Sequence, residues 1–222
     1  MKASVKTLRL LPMMTAIAAW ALSVAGPPTM AAGQEDLDAR VRRFLDANRS
    51  QWRDLNVPAV DGQTLHDIIV KNRYTHALEI GTSTGHSGIW IAWALSKTGG
   101  RLITVEIDER RHRQALANFE AAGLSGFIDA RLGDAHQIVP ALPGPFDFVF
   151  SDADKDWYKN YLIAVLPKLQ VGGCFTTHNV SAGRRRGGGG VDYLGYLYSL
   201  PNLETTVDSR GAGMAISYKR SR

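Results

Sequence analysis

Apolar positions along the chain change their period several times, and each change marks an element. Over residues 35–48, Leu37, Val41, Phe44 and Leu45 recur at helical spacing, with acids gathered in the first turn as the helix dipole favours. A second helix is predicted to start at Asp61 as its N-cap and to run through Leu65, Ile68, Ile69 and Val70. Beyond it, short apolar runs alternate with amphipathic stretches. The runs 76–80, 101–107, 127–132, 146–151 and 172–177 read as strands. The clearest helix between them is 110–122, with Ala115, Leu116, Phe119 and Ala122 on one face. Strands that are almost wholly apolar and separated by helices belong to a parallel sheet covered on both sides. At the end, LETTVDS and GMAISYK flank Arg210, Gly211 and Ala212 and read as a hairpin. The predicted fold class is α/β: a doubly wound, mostly parallel seven-stranded sheet with an antiparallel C-terminal hairpin strand.

Composition adds limits. A chain of 222 residues, 45% of them apolar, suits one domain with a full core, and no fixed-period repeat runs through it. The net charge of +5 suggests nucleic acid only until it is located. Lys2, Lys6 and Arg9 carry three of those charges in a first 31 residues without acids, which leaves +2 for the rest. No nucleic-acid partner is expected from that balance. Cys174 is the single cysteine, so an intramolecular disulfide and a zinc site of several thiolates are excluded. It sits in an apolar run and reads as a buried, inert thiol.

The three early basic residues precede LLPMMTAIAAWALSVAG and then small residues around Thr29, Ala31 and Ala32, the layout of a secretory signal peptide. Cleavage after Ala31 is expected, leaving a domain over 32–222, with cleavage after Ala25 as the alternative. The apolar run is short for a spanning helix and contains Pro12, so no stable membrane anchor is expected. The expected location is exported or periplasmic. A translation start at Met30 would instead give a cytoplasmic protein.

Candidate chemistry begins after the first strand, in LEIGTSTGHS from Leu78 to Ser87. Glu79, Gly81 and Gly85 sit where backbone can approach a ligand and where a helix N-terminus exposes free N–H groups. Thr82, Ser83, Thr84 and Ser87 add hydroxyl donors. A dinucleotide loop wants a glycine two residues after the first, and Ser83 stands there instead. The pattern therefore points to a nucleoside without a pyrophosphate. Glu106, 25 residues after Gly81, ends the second strand, where a carboxylate accepts ribose hydroxyls. After the third strand, Asp134 can accept from an adenine amino group while Ala135 offers its backbone.

The fourth strand, in FDFVFSDADKDWY, emerges directly into Asp152, Asp154, Lys155 and Asp156, and the fifth ends at His178 and Asn179. Neighbouring strand ends bring Asp152, His178 and Asn179 to one spot, enough for a divalent metal. Asp154 reads equally as a helix N-cap, and Trp157, Tyr158 and Tyr161 read as packing residues at helical spacing. The stretch 183–190, GRRRGGGG, reads as a mobile loop on the carboxyl side of the sheet, its arginines more in keeping with a solvated loop than with an anion site. His86 and His136 receive no role.

In LEIGTSTGHSG, TVEID, GDA, FDFVFSDADKDWY and GGCFTTHN, taken in that order, the sequence resembles the cation-dependent O-methyltransferases, the family of catechol and caffeoyl-CoA O-methyltransferases. The resemblance spans roughly residues 56–219. It implies a class I, Rossmann-like methyltransferase fold and S-adenosylmethionine as cofactor. By it, Glu79, Gly81, Ser87, Glu106 and Asp134 line the cofactor site, with Ser83, Gly85, Ala135 and Asp152 beside them. Asp152 and Asn179 match two metal ligands, and Lys155 matches the lysine taken as general base.

The sequence departs from the family at His178, where aspartate is usual and gives an all-oxygen site suited to magnesium. Imidazole shifts the preference toward manganese, iron or zinc and removes a negative charge. His178 thus reads as a metal ligand, as a base, or as a strand cap in a metal-free enzyme. The implied activity is methyl transfer to a hydroxyl of a small aromatic, catechol-like acceptor, with Lys155 and Asp152 as the catalytic residues. The alternative is an exported, catalytically lapsed domain that binds a nucleoside-like or aromatic ligand. The two N-terminal helices and the terminal hairpin offer a surface for a homodimer.

Overall fold

A computed structural model of the chain describes residues 30–53, 55–180 and 193–222. All but the last two residues of the predicted export segment, and the whole glycine-rich stretch 183–190, lie outside the described residues. The strands are β1 (His76–Ile80), β2 (Arg101–Glu106), β3 (Ile128–Leu132), β4 (Phe146–Ser151), β5 (Leu169–His178), β6 (Leu203–Asp208) and β7 (Met214–Lys219). They form one sheet in the order β3-β2-β1-β4-β5-β7-β6. β1 to β5 run parallel, whereas β7 is antiparallel to both β5 and β6. This is the doubly wound sheet with a terminal hairpin that the alternation of runs predicts.

The helices are α1 (Met30–Ala47), α2 (Ala59–Asn72), α3 (His86–Thr98), α4 (Glu109–Ala122), α5 (Ala135–Ala141), α6 (Tyr158–Val165) and α7 (Tyr193–Ser199). On one face of the sheet, Leu65, Ile69, Ile91 and Leu95 pack against Phe148 and Phe150. On the other, Val139, Tyr161, Leu162 and Leu197 cover Ile80, Val149 and Phe175. Val41 of α1 joins Ile89, Ala115 and Phe119 in a third cluster over α3 and α4. Each fully buried Val, Leu, Ile or Phe among them contributes about 1.5–3 kcal/mol by leaving water.

Several expectations are corrected. α1 begins at Met30, so its first turn holds no acid, and Glu35 and Asp36 fall inside the helix. Leu116 is 45% exposed, because Ala115, Phe119 and Ala122 complete the buried stripe at i, i+4 and i+7 and leave it one step round the helix. The second strand stops at Glu106, before the exposed Ile107, and Phe127 belongs to a short 3-10 turn. β5 runs on to take in His178. Asp61 is not the cap of α2: Pro58 holds that position, and Asp61 lies buried in the first turn.

The chain leaves β1 toward β2 on one side, while β4, its other neighbour, leads away to β5. The carboxyl ends of β1 and β4 therefore flank the point where the winding reverses, the crevice in which open α/β sheets bind ligands. The backbone knits this edge tightly, since Asp152 donates its N–H to the Ile80 carbonyl (2.9 Å).

Candidate active site at the carboxyl ends of β1 and β4

The loop after β1 turns on three residues with positive φ: Gly81 at 99°, Ser83 at 50° and Gly85 at 95°. A Cβ on Gly81 would lie 3.1 Å from backbone atoms of Asp152 and Ala153, so only glycine passes there without displacing the β4 end. Ser83 bears a strained left-handed conformation at the position where a dinucleotide loop has glycine. It is held there by its own N–H, which donates to Glu106 Oε2 (2.7 Å). Gly85 ends the loop against Phe119, whose ring would lie 2.7 Å from a Cβ.

Three of the four predicted hydroxyl donors are already engaged, Ser87 by Glu79 and the two threonines elsewhere. Thr82 bonds Thr104 (2.5 Å), which donates to Glu79 Oε2 (2.6 Å), and Thr84 bonds the Asn56 amide (3.2 Å). Ser83 Oγ remains buried without a partner among the described residues. Glu79 is fully buried, and that burial raises its pKa to about 8 against the opposing hydrogen bonds from Ser87 and Thr104. Its Oε1 likewise has no partner among the described residues, nor have Ser151 Oγ and Asp61 Oδ1. Unmatched buried polar atoms thus gather at one edge of the sheet, where a polar ligand would satisfy them.

Glu106, at the tip of β2, accepts from Ser83 N–H through one oxygen and from Asp108 N–H (2.9 Å) through the other. The carboxylate is thereby fixed in orientation with lone pairs to spare. Gly133 N–H donates to the Glu106 carbonyl (2.8 Å), which brings the loop after β3 alongside. In that loop Asp134 caps α5 by accepting from His136 N–H (2.9 Å), and Ala135 is the first helical residue. The His136 ring stacks on Trp157 (3.7 Å between centroids, 12° between planes) with Nε2 3.4 Å from Asp154. Trp157 therefore joins the turn after β4 to the turn after β3. His86 is a packing residue: Nδ1 donates to the Val57 carbonyl (2.9 Å), Nε2 accepts from Trp90 (3.2 Å), and burial lowers its pKa to about 4.

The turn after β4 carries Asp152, then Asp154, which caps the short 3-10 turn Lys155–Trp157 by accepting from Asp156 N–H (3.1 Å). Lys155 is exposed at its start, and Tyr158 and Tyr161 are buried in the core as predicted. Asp152 and His178 do meet: His178 Nδ1 lies 3.0 Å from Asp152 Oδ2. The second ring nitrogen, Nε2, lies 2.9 Å from Asp61 Oδ2 of α2. Burial by itself would lower the pKa of His178, but the bonds to Asp152 and Asp61 outweigh it and raise the value to about 9. Tyr158 holds the strand end by donating to the His178 carbonyl (3.0 Å).

A divalent cation held by Asp152, His178 and Asn179 does not fit this arrangement. Both ring nitrogens of His178 face carboxylates, so the imidazole has no lone pair aimed at a metal, and Asn179 is exposed with a φ of 56°. Among the described residues, no group of three His, Cys, Asp or Glu side chains is arranged to hold a metal. Asp61, expected from the sequence as a helix cap, is instead the buried partner of His178. Its spacing signalled it, because Asp61, Leu65, Ile68 and Ile69 share one helical stripe and an acid on a buried stripe needs a partner.

The winding, the glycine loop and the carboxylates near the carboxyl ends of β1 and β2 are those of an α/β domain of the methyltransferase fold. The chain belongs to the O-methyltransferase family, whose profile matches residues 30–183. It is 42% identical over 107 residues to the catechol O-methyltransferase of Niastella koreensis, covering 46% of this chain and 48% of the relative. It is 33% identical over 127 residues to caffeoyl-CoA O-methyltransferase 1 of Eucalyptus globulus, covering 55% and 51%. The chain thus spans about half the length of the curated relatives it matches. Among solved structures, the O-methyltransferase from Bacillus cereus in complex with SAH is 25% identical with a TM-score of 0.64, covering 86% of this chain and 97% of that one. The tomaymycin-synthesis O-methyltransferase from Streptomyces achromogenes in complex with SAM gives 25% and 0.64, covering 82% and 90%.

Proposed function

We propose that the chain is an S-adenosylmethionine-dependent O-methyltransferase acting on a hydroxyl of a small, catechol-like aromatic. The observation that carries this reading is Glu79, a fully buried carboxyl with an unpartnered oxygen at the foot of the glycine loop, in a chain of the O-methyltransferase family. A cationic ligand favours the ionised form of such a carboxyl. S-adenosylmethionine brings an ammonium and supplies the methyl group from a sulfonium.

Each residue then has a task. Glu79 anchors the cationic end of the cofactor, while Gly81 and Gly85 let the backbone approach it. Glu106, pre-oriented by two amides, accepts the ribose hydroxyls. Asp134 and Ala135 receive the adenine edge at the start of α5. Asp152 faces the acceptor from the end of β4. The hydroxyl oxygen forms its bond to the methyl carbon as the carbon–sulfur bond breaks, with Lys155 as the base that takes the hydroxyl proton. A phenol with an ordinary pKa near ~10 needs that base, since its neutral oxygen is a poor nucleophile. The protein otherwise contributes proximity and alignment.

Calorimetric titration of the purified protein with S-adenosylmethionine tests the reading. Binding is expected, and Glu106→Ala weakens it at least about tenfold, the loss of a charge-assisted hydrogen bond. No binding by the parent protein contradicts the reading. Binding without any turnover of hydroxylated aromatics favours the lapsed domain, for which the exposed Lys155 and the occupied His178 speak.

We extend the proposal to the N-terminus: residues 1–31 direct export and are cleaved after Ala31. N-terminal sequencing of the native protein checks this. A sequence beginning at Ala32 agrees with it, and one beginning at Met30 contradicts it.

A further inference from the structure

We propose that Asp61, His178 and Asp152 form an ion triad that takes the place of a divalent cation, so that this chain positions its acceptor-facing carboxylate with a cation of its own and works without metal. The proposal rests on the methyltransferase reading above and concerns the residue set at one edge of that site.

The geometry is that of a closed triad. His178 spans two carboxylates, 3.0 Å from Asp152 and 2.9 Å from Asp61, and its side chain is 4% exposed. A carboxylate oxygen only accepts, so an N–H on each nitrogen satisfies both contacts, and a ring with two N–H groups carries one positive charge. Such a ring has no lone pair to give a metal. Phe150 lies beside it (6.0 Å between centroids), an apolar wall that strengthens the ionic contacts.

Asp61 is itself built in. Its Oδ2 accepts from Ala212 N–H (2.9 Å) in the turn between β6 and β7, as well as from His178. Its carboxyl occupies the space where a Cβ on residue 211 would stand, and Gly211 leaves that space open. The hairpin turn, the second helix and two strand ends therefore meet on one imidazole. Asp61 is 0% exposed, and a lone buried carboxylate would be costly without such a partner.

The charges explain why the triad and a metal exclude one another. With His178 as a cation the three side chains sum to one negative charge, leaving little to attract a divalent ion. With an aspartate at 178 they would sum to three negative charges around oxygen ligands, a set suited to a hard cation. His178 and Asp61 are thus positioning residues. They neutralise Asp152 and hold its carboxylate toward the acceptor, which they do not touch.

The test compares the full chain with its His178→Asp variant. Mn2+ binding is followed by the loss of the free-ion electron paramagnetic resonance signal, and S-adenosylmethionine binding is followed in parallel by calorimetry. The expected result is that H178D depletes the free Mn2+ signal at concentrations at which the parent leaves it unchanged. Equal affinity in the two proteins, tight or absent, overturns the proposal. A second measurement needs no variant: nitrogen-15 spectra of the parent should contain two ring N–H signals from His178, unaltered by Mg2+. One ring N–H, or broadening of that ring by Mn2+, overturns it as well. Failure of the parent to bind S-adenosylmethionine counts against the methyltransferase reading alone, because the metal and ring measurements are scored without it.

Discussion

Asp61 and Gly211 occupy each other's space: Asp61 Oδ1 lies 1.9 Å from where a Cβ on Gly211 would be. No side chain tolerates that approach, so Gly211→Ala pushes the Asp61 carboxylate off His178. A loss of about 1–3 kcal/mol in stability is expected, the usual cost of overpacking a filled site. Methyl transfer should fall with it. Gly126→Ala is the control, since nothing lies within 4 Å of its Cβ position, and it should stay within about 0.5 kcal/mol of the parent. Thermal denaturation and turnover of the two variants check this, and equal behaviour would contradict the clamp.

Stability should fall as pH rises. His178 is raised from 6.5 to about 9 by its two carboxylates against its burial, and Glu79 from 4.5 to about 8 by burial. In each case the folded state holds a proton that the unfolded state has released, so rising pH favours unfolding across that window. The contribution of Glu79 is complete below 4.5 and gone above 8, and that of His178 is complete below 6.5 and gone above 9. Urea midpoints taken from pH ~5 to ~9 should decline steadily, and saturating S-adenosylmethionine should flatten the Glu79 part. A midpoint that rises through this range contradicts the assignment.

Lys155→Ala should lower turnover of a catechol by about 10²–10⁴-fold while leaving S-adenosylmethionine affinity unchanged, as expected for a base that acts only in the reaction step. Raising the pH should restore part of the rate, because the ionised acceptor no longer needs the base. A variant as active as the parent removes Lys155 from the mechanism.

Much of the fold was legible in the pattern because the sheet is buried on both faces. HALEI and FDFVFS are short, mostly apolar runs bounded by turn residues, and both strands begin and end where the pattern puts them. Leu116 misled because it adjoins the stripe of Ala115 and Phe119, and one step of 100° separates buried from exposed. The placement of the candidate residues was legible where they follow strand ends: Glu79, Glu106 and Asp152 lie at the carboxyl ends of β1, β2 and β4. It was illegible where partners come from distant segments. Asp61 and His178 are 117 residues apart, and Ala212 reaches Asp61 across 151, separations that no local spacing encodes. A loop sequence does not reveal that Thr104 and Asn56 engage the hydroxyls of Thr82 and Thr84.

The most direct measurement incubates the protein with S-adenosylmethionine and a catechol in the presence of a chelator and follows both products by mass spectrometry. O-methylated catechol and S-adenosylhomocysteine are expected in equal amounts, dependent on Glu106 and undiminished by the chelator. Unchanged catechol, with the cofactor bound and intact, would contradict that expectation.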